Sequence, residues 1–180
     1  MNIILACDKN YGIGIDNNLP SWNLKEDMFR FKRLTIGKGN NIIIMGKNTY
    51  LSLNKRSLKR RFNIIVSKSL FEELNILKYI PYEGFYIFDK LEEAYNFATY
   101  LVKDNNGKIW AIGGAQLYES CVESCKIDSA YITIIDKEYN CDVYLKDKTI
   151  KFIKDRKWDK IQDKSNDFFS YRFYDYKRSN

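Results

Sequence analysis

The chain has no histidine, only two prolines and nine glycines among its 180 residues, and no long hydrophobic run. Each shortage excludes a class of protein. Without histidine there is no imidazole to serve as a general base and no Cys/His set to hold zinc. So few prolines and glycines do not suit a collagen-like, low-complexity or linker-rich chain. Wholly apolar stretches such as Ile42-Ile43-Ile44-Met45 and Phe85-Tyr86-Ile87-Phe88 fall far short of the ~20 residues that a membrane-spanning helix requires. The opening Met1-Asn2-Ile3-Ile4-Leu5-Ala6 has no basic region ahead of its apolar residues, so it does not read as a signal peptide, and the expectation is a cytoplasmic protein. The four cysteines are scattered. Cys121 and Cys125 share one helical face and are read as small hydrophobes rather than a redox or metal pair.

What is present is ordinary for a globular chain, with 45% hydrophobic and 29% charged residues, at a length able to bury roughly 70% of the unfolded surface. One folded domain over 1–180 is predicted. The net charge of +7 suits an anionic partner. Lys and Arg alternate with 23 acids along most of the chain, so charge alone does not separate a phosphate-bearing cofactor from a nucleic acid.

Asn2–Cys7 reads as a strand buried on both faces, at the centre of an α/β sheet. The following loop, Asp8–Asn23, is long for a connector and holds Gly12, Gly14 and Pro20, which marks it as functional or mobile. Asn23-Leu24-Lys25-Glu26 fits a capping box, and Leu24, Met28, Phe31 and Leu34 then repeat at helix spacing. Further strands are predicted at Asn41–Met45, Phe62–Ser67, Phe85–Phe88, Lys108–Ile112 and Ala130–Asp136, with a closing hairpin from Trp158–Gln162 and Phe168–Lys177 around Lys164–Asp167. Helices are predicted to open at Gly46-Lys47-Asn48-Thr49, after a second capping box at Asp89-Lys90-Leu91-Glu92, and after Gly113-Gly114. Alternating strands and helices followed by terminal strands predict an α/β fold, with a central mostly parallel β-sheet, an antiparallel C-terminal edge strand and flanking helices.

Asp27 is the most informative residue. With Asn23 as the cap it occupies the helical position that ordinarily holds the apolar member of a staple against the residue before the cap, here Trp22. It is either a first-turn acid favoured by the helix dipole or a recessed carboxylate at a cleft, poised to bind a cationic or amidine-like ring or to steer a proton. Gly113-Gly114, between a strand and a helix, can bring backbone amides close to a phosphate, or is a plain tight turn. Gly46-Lys47-Asn48-Thr49 lacks the spacing of a phosphate-binding Walker loop. The cluster Lys55, Arg56, Lys59, Arg60 and Arg61 reads as a solvated loop from which one arginine can face a cleft and fork onto a carboxylate.

Taken in order, Ala6, Gly12-Ile13-Gly14 with Leu19-Pro20, Trp22-Asn23-Leu24-Lys25-Glu26-Asp27-Met28 with Phe31-Lys32, Ile44-Met45-Gly46-Lys47-Asn48-Thr49-Tyr50, Arg61 with Asn63-Ile64-Ile65-Val66-Ser67, Ile112-Gly113-Gly114-Ala115-Gln116-Leu117-Tyr118 and Tyr131-Ile132-Thr133 closely resemble the dihydrofolate reductase family over nearly the whole chain. The resemblance implies that family's fold, NADPH as cofactor, and reduction of dihydrofolate to tetrahydrofolate. Hydride would pass from nicotinamide C4 to pterin C6 with protonation at N5, in support of one-carbon metabolism and thymidylate and purine synthesis. It implies that Asp27, aided by Thr133, binds the 2-amino and N3 side of the pterin and favours the N5-protonated form, with a water held by Trp22 close by. Ile4, Ala6, Met28, Phe31, Leu53, Ile112 and Tyr118 would surround the pterin, its benzoyl group or the nicotinamide, and Arg61 would grip the glutamate α-carboxylate.

Cofactor-binding positions implied by the resemblance are Ala6, Ile13, Gly14, Leu19, Gly46, Lys47, Asn48, Thr49 and the run Ile112, Gly113, Gly114, Ala115, Gln116, Leu117, Tyr118. Lys47, Ser67 and Lys68 would lie near an adenosine 2′-phosphate, and the loop Gly14–Trp22 would close over the nicotinamide and exclude water. Antifolate inhibitors are implied as ligands; no metal, nucleic acid or membrane partner is expected. The chain is expected to be a monomer or one part of a larger fusion. Three features depart from the family pattern. Ser21 stands between Pro20 and Trp22, which bears on loop closure and on the tryptophan-bound water. Lys59-Arg60 replaces Pro-Gly, and Cys141-Asp142-Val143-Tyr144-Leu145 lacks the Phe-Pro ending, with Asp142 a partner for the mobile loop. The competing readings are a pyrimidine reductase of riboflavin synthesis, a basic nucleic-acid-binding module and a folate binder without turnover.

Overall fold

In a computed structural model of the chain, which describes residues 1–75, 79–104, 106–125, 127–166 and 168–178, the apolar runs become the strands of one eight-stranded sheet. In chain order the elements are β1 (Asn2–Asp8), β2 (Gly12–Gly14), α1 (Lys25–Ile36), β3 (Ile42–Gly46), α2 (Lys47–Ser52), β4 (Phe62–Val66), α3 (Lys68–Glu73), β5 (Tyr86–Phe88), α4 (Leu91–Val102), β6 (Ile109–Ala111), α5 (Ala115–Ser124), β7 (Ser129–Ile135), β8 (Val143–Tyr144), α6 (Asp147–Lys154), β9 (Asp159–Ser165) and β10 (Ser170–Lys177). The sheet order is β5-β4-β3-β6-β1-β7-β10-β9. The pairs from β5 to β7 are parallel, and β10 and β9 close the edge antiparallel. Both C-terminal strands therefore contribute to the predicted antiparallel edge; the Asp167 part of the predicted turn lies outside the described residues.

Because successive strand residues face opposite ways, the two faces carry separate cores. Ile3, Leu5, Ile42, Ile44, Ala111 and Ile132 pack with Ala94 and Ala98 of α4, Leu117 and Cys121 of α5, and Phe152 and Ile153 of α6. Ile4, Ile43, Met45, Ile65 and Trp110 pack on the other face with Phe31, Leu34, Tyr50 and Leu70. β1 lies between β6 and β7, buried along almost its whole length, as its continuous apolar run predicts. Cys7, Cys121 and Cys141 are buried and Cys125 is half-buried, in keeping with their reading as small hydrophobes. No helix of the described residues is long and apolar enough to cross a membrane.

The two predicted capping boxes do not form. α1 has Leu24 at its cap with no side-chain cap bond, and Asn23 adopts a left-handed φ of 45°. Glu26, instead of reaching back, accepts from Tyr171 Oη at 2.7 Å and pairs with Lys164 at 2.6 Å. α4 likewise starts at Leu91 with Lys90 as its cap. Three short elements and one full helix, β2, α3, β8 and α6, were not predicted from the sequence.

The predicted stripe on α1 also needs correction. Met28 is 51% exposed whereas Arg30 is only 8% exposed. Arg30 forms an ion pair with Asp175 of β10, and its guanidinium lies over the rings of Phe173, at 4.7 Å, and Tyr131, at 5.5 Å. The helix thus docks on β7 and β10 through a paired charge rather than through an unbroken apolar stripe. Burial pushes the Asp175 carboxyl up and Arg30 pulls it back. Removing one member of a buried pair strands the other. Arg30→Ala is therefore expected to cost about 3 kcal/mol in urea denaturation, with Arg30→Met plus Asp175→Leu recovering most of it. An equal loss in the double variant would show that the ring contacts, not the charge pair, hold the helix.

Candidate active site

At the C-terminal ends of β1, β3 and β6, where α/β sheets bind ligands, a cleft of about 730 Å³ opens. One wall is apolar. Ile4 and Ala6 of β1 look across to Met28 and Phe31 of α1, to Leu53 after α2, and to Ile112. The exposure of Met28 is explained by this position, since the side chain faces the cleft. Asp27 is the one carboxylate that α1 contributes to the lining, and it is anchored from below: Thr133 Oγ1 donates to its Oδ1 at 2.5 Å. The register of the sheet creates this contact, because Thr133 pairs with Ala6 on one side and Phe173 on the other and therefore points to the α1 face. Burial raises the Asp27 pKa, and the Thr133 hydrogen bond and the Arg30 charge partly oppose the rise. The first-turn acid is thus recessed in a cleft, and it is the third helical residue, not the fourth.

The other end of the cleft is bare backbone. Gly46 N donates to Gly113 O at 2.9 Å, and the Gly113–Gly114 peptide is cis. Gly113 has φ 127°, and a Cβ there would stand 3.2 Å from Thr49 Oγ1 and 3.3 Å from Tyr118 Oη. Only glycine suits that position. Lys47, Asn48, Thr49, Ala115, Gln116, Leu117 and Tyr118 complete this end, and Tyr118 is fixed by donating to Ile4 O at 2.8 Å. Glycine backbone, the Thr49 hydroxyl and one lysine form an open, polar cradle that fits a phosphate-bearing dinucleotide.

A loop roofs the cleft with Ile13, Gly14, Asn17, Asn18, Leu19 and Trp22. It is tied down at both ends of β2. Asp8 accepts from Asn10 N and Gly12 N, both at 2.8 Å, and from Tyr139 N at 3.0 Å. A Cβ on Gly12 would come within 2.5 Å of Cys141 Sγ. Asp142 accepts from Asp16 N at 2.9 Å and its own N donates to Gly14 O at 3.1 Å, so it does contact the loop. Trp22 is buried against Tyr139, edge to face with centroids 5.6 Å apart.

Four of the expected site residues are not in the cleft lining. Thr133 lies beneath it, 1% exposed. Arg61 lines an adjoining apolar hollow of about 310 Å³ that shares Met28, Phe31 and Leu58 with the cleft. Ser67 and Lys68 follow Val66, which does line the cleft. Ser67 Oγ accepts from Leu70 N at 3.2 Å as the cap of α3, and Lys68 is paired with Glu72 at 3.9 Å. Sequence reasoning missed Ser52, Leu58, Val143 and Lys146, all in the lining. Leu58, a lone apolar residue in a basic loop, carried a readable signal. Val143 and Lys146 carried none, because they arrive only through the pairing of β8 with β2.

Comparison with known proteins agrees with this geometry. The dihydrofolate reductase family profile matches residues 1–178. The chain is 32% identical to the dihydrofolate reductase of Pneumocystis carinii over 174 residues, 89% of this chain and 79% of that protein. It is 35% identical to that of Haemophilus influenzae over 143 residues, 79% and 76% of the two chains. It is 34% identical to a bifunctional dihydrofolate reductase-thymidylate synthase of Paramecium tetraurelia over 144 residues, 80% of this chain and 28% of that longer protein. With a family match over essentially its whole length and these relatives, the chain belongs to the dihydrofolate reductase family.

Proposed function

We propose that this chain reduces dihydrofolate to tetrahydrofolate with NADPH, and so supports one-carbon metabolism and thymidylate and purine synthesis. The observation that carries the reading is the recessed Asp27 carboxylate, held by Thr133 in an apolar wall, opposite a glycine-backbone cradle in the same cleft. A nicotinamide dinucleotide held in the cradle would supply the hydride, from its C4 to pterin C6, so the protein would need neither a nucleophile nor an imidazole. Asp27 binds the 2-amino and N3 side of the pterin as a paired, charge-assisted contact. Its negative charge, acting through a desolvated site, favours the proton at N5. Thr133 fixes the carboxylate's orientation. Ile4, Ala6, Met28, Phe31, Leu53, Ile112 and Tyr118 enclose the rings and exclude water, and Arg61 takes the glutamate α-carboxylate.

Lys47, Asn48, Thr49 and the backbone of Gly113–Gln116 hold the cofactor phosphates. Lys47 is the cation at the cradle for a 2′-phosphate, with Ser67 and Lys68 beyond it. The Gly14–Trp22 segment closes over the nicotinamide side, a gating role. Ser21, between Pro20 and Trp22, lies within that segment.

Following the loss of NADPH absorbance with dihydrofolate tests the reading directly. Asp27→Asn keeps volume and a hydrogen-bond acceptor but removes the charge, so turnover at neutral pH should fall by about 100-fold or more. Activity should recover as pH falls and solvent supplies more N5-protonated substrate. Near-normal turnover of this variant at neutral pH would return Asp27 to a helix-dipole role. The same substitution has an opposite effect on stability. Because burial raises the Asp27 pKa, the folded chain holds that proton more tightly. The contribution is therefore fully present below the ordinary carboxylate value of about 3.9 and is lost as pH rises through the raised value. Asp27→Asn should thus raise Tm relative to the parent more at about pH 7 than at about pH 3. A gain equal at both pH values would contradict this assignment.

Cofactor choice gives an independent check. Lys47 donates to Ser69 Oγ at 3.2 Å and lies 3.6 Å from Glu73, with its side chain about one-third exposed. Solvent screening therefore limits its effect. Lys47→Ala should raise KM for NADPH by about tenfold and KM for NADH, which lacks the 2′-phosphate, by clearly less. Equal effects on both cofactors would remove Lys47 from the 2′-phosphate site.

A further inference from the structure

A phosphate-bearing dinucleotide carries negative charge in two places, on the pyrophosphate that joins its halves and, in NADPH, on a 2′-phosphate. Among the described residues the cleft lining holds two cations to meet them, Lys47 and Lys146. The two lysines keep different company. Lys47 opens α2, donates to Ser69 Oγ and lies 3.6 Å from the Glu73 carboxylate, so part of its charge is already answered. Lys146 stands between β8 and α6, and among the described residues its side chain has one polar partner, a neutral amide: its Nζ donates to Gln116 Oε1. Gln116 is the second residue of α5, directly after the glycine backbone that forms the bare end of the cleft. An ammonium with no carboxylate is therefore held at the cradle by a contact weaker than the one an anion offers. Its backbone, in contrast, is firmly placed. Leu145 is buried and its N donates to Tyr11 O at 2.9 Å, Val143 and Tyr144 pair with β2, and the first turn of α6 is fastened to α5, where Glu119 accepts from Thr149 N and Thr149 Oγ1, both at 3.2 Å. Glu119 is thus engaged by α6, and the exposed Lys146 side chain projects from a fixed base.

We propose that Lys146 is the cation for the pyrophosphate of the dinucleotide, exchanging its Gln116 contact for one to that group. The two lysines then divide the ligand's charge: Lys146 serves the part that NADPH and NADH share, and Lys47 the 2′-phosphate that NADPH alone carries. The inference rests on the proposed reductase reading, which puts a nicotinamide dinucleotide in the cradle. A lysine is a compact charge with three donors, so it meets a phosphate without needing the fixed geometry of a fork. The exchange from amide to phosphate gains a charge-assisted contact, and the fixed backbone means that little of the gain is lost in ordering the chain. Because the side chain is exposed, the gain is screened by salt.

Equilibrium binding without folate, read by quenching of tryptophan fluorescence, tests this apart from turnover. At low salt Lys146→Gln should raise Kd for NADPH and for NADH by the same factor, about tenfold, and so leave the preference between them at the parental value, whereas Lys47→Ala changes that preference. The effect of Lys146→Gln should shrink at about 0.5 M salt. Lys146→Arg keeps the charge and should stay much closer to the parent. Fragments separate the two lysines. In NMR titrations ADP, which has a pyrophosphate and no 2′-phosphate, should lose more affinity in Lys146→Gln than in Lys47→Ala, and adenosine 2′-monophosphate should show the reverse order. Tm of Lys146→Gln should match the parent, since the contacts of Leu145 and Thr149 do not use the Lys146 side chain. Unchanged Kd for both dinucleotides would overturn the proposal, and so would a loss confined to NADPH, which would place Lys146 at the 2′-phosphate. A lowered Tm together with an equal loss of binding in Lys146→Arg would make the Gln116 contact a structural one and overturn it as well. Failure of the parent to bind either dinucleotide would count against the reductase reading instead. Lys146 is then judged with inorganic pyrophosphate: binding to the parent that Lys146→Gln abolishes supports the anion site, and equal or absent binding in both refutes it.

Discussion

The site depends on how α1 sits on the sheet. Helices usually dock through an apolar stripe, but within little more than one turn this one presents Glu26 to Tyr171 and Lys164, Asp27 to Thr133, and Arg30 to Asp175. Charges removed from water are costly unless they meet their partners. Rotation or sliding of α1 would leave Arg30 facing apolar rings with no carboxylate and Asp175 with no cation, so one register is singled out. That register turns Met28 and Phe31 toward the cleft and recesses Asp27 beside them. Three of the four partners come from β7 and β10, with Thr133 opposite Phe173 and with Tyr171 and Asp175 two residues to either side of Phe173, and Lys164 comes from the neighbouring β9. The antiparallel edge of the sheet is therefore what sets the position of the carboxylate.

The two ends of the cleft differ because their chemistry differs. Near α1 the wall is apolar with one carboxylate, an environment in which a charge acts on a bound ring with little screening. Near β3 and β6 the chain withdraws its side chains at Gly46 and Gly113 and exposes backbone, the Thr49 hydroxyl and Lys47. No imidazole is present, and the Cys7 and Cys141 thiols do not substitute for one. Burial pushes Cys7 up, and it raises Cys141 to about 11, with Asp8 adding to the rise. Under the proposed reductase reading the nicotinamide cofactor would bring the hydride, so neither group is needed. The roof is fastened separately, by Asp8 at the end of β1 and by Asp142 before β8. Both carboxylates accept backbone amides of the loop, so it is held at both ends of β2 while Asn17, Asn18 and Leu19 remain at the mouth of the cleft.

Much of this was legible in the order of residues. The alternation of buried strands and helices set the parallel sheet, because strands covered on both faces must be apolar throughout, and Ile3, Ile4, Ile42, Ile43 and Ile44 are. Asp27 stood out because a carboxylate fell where a helix normally packs an apolar side chain. Gly46 and the Gly113-Gly114 pair stood out because glycine between a strand and a helix permits close backbone approach. Local capping chemistry misled, since Asn23 and Glu26 fit a capping box in isolation, yet Tyr171 and Lys164, more than a hundred residues away, offered Glu26 stronger partners. Met28 and Arg30 exchanged their expected environments for the same reason: helical period marks which residues share a face, not what lies opposite that face.

The sequence by itself determined the fold class, the central position of β1 and the residue types gathered at the cleft, because periodicity and glycine placement are local properties of the chain. Only the tertiary structure decided that Thr133 lies under Asp27, that Arg30 is neutralised by Asp175 and that Val143 and Lys146 reach the cleft. Those contacts join segments far apart in the chain through strand register, and register is set by the whole sheet rather than by any one stretch of residues.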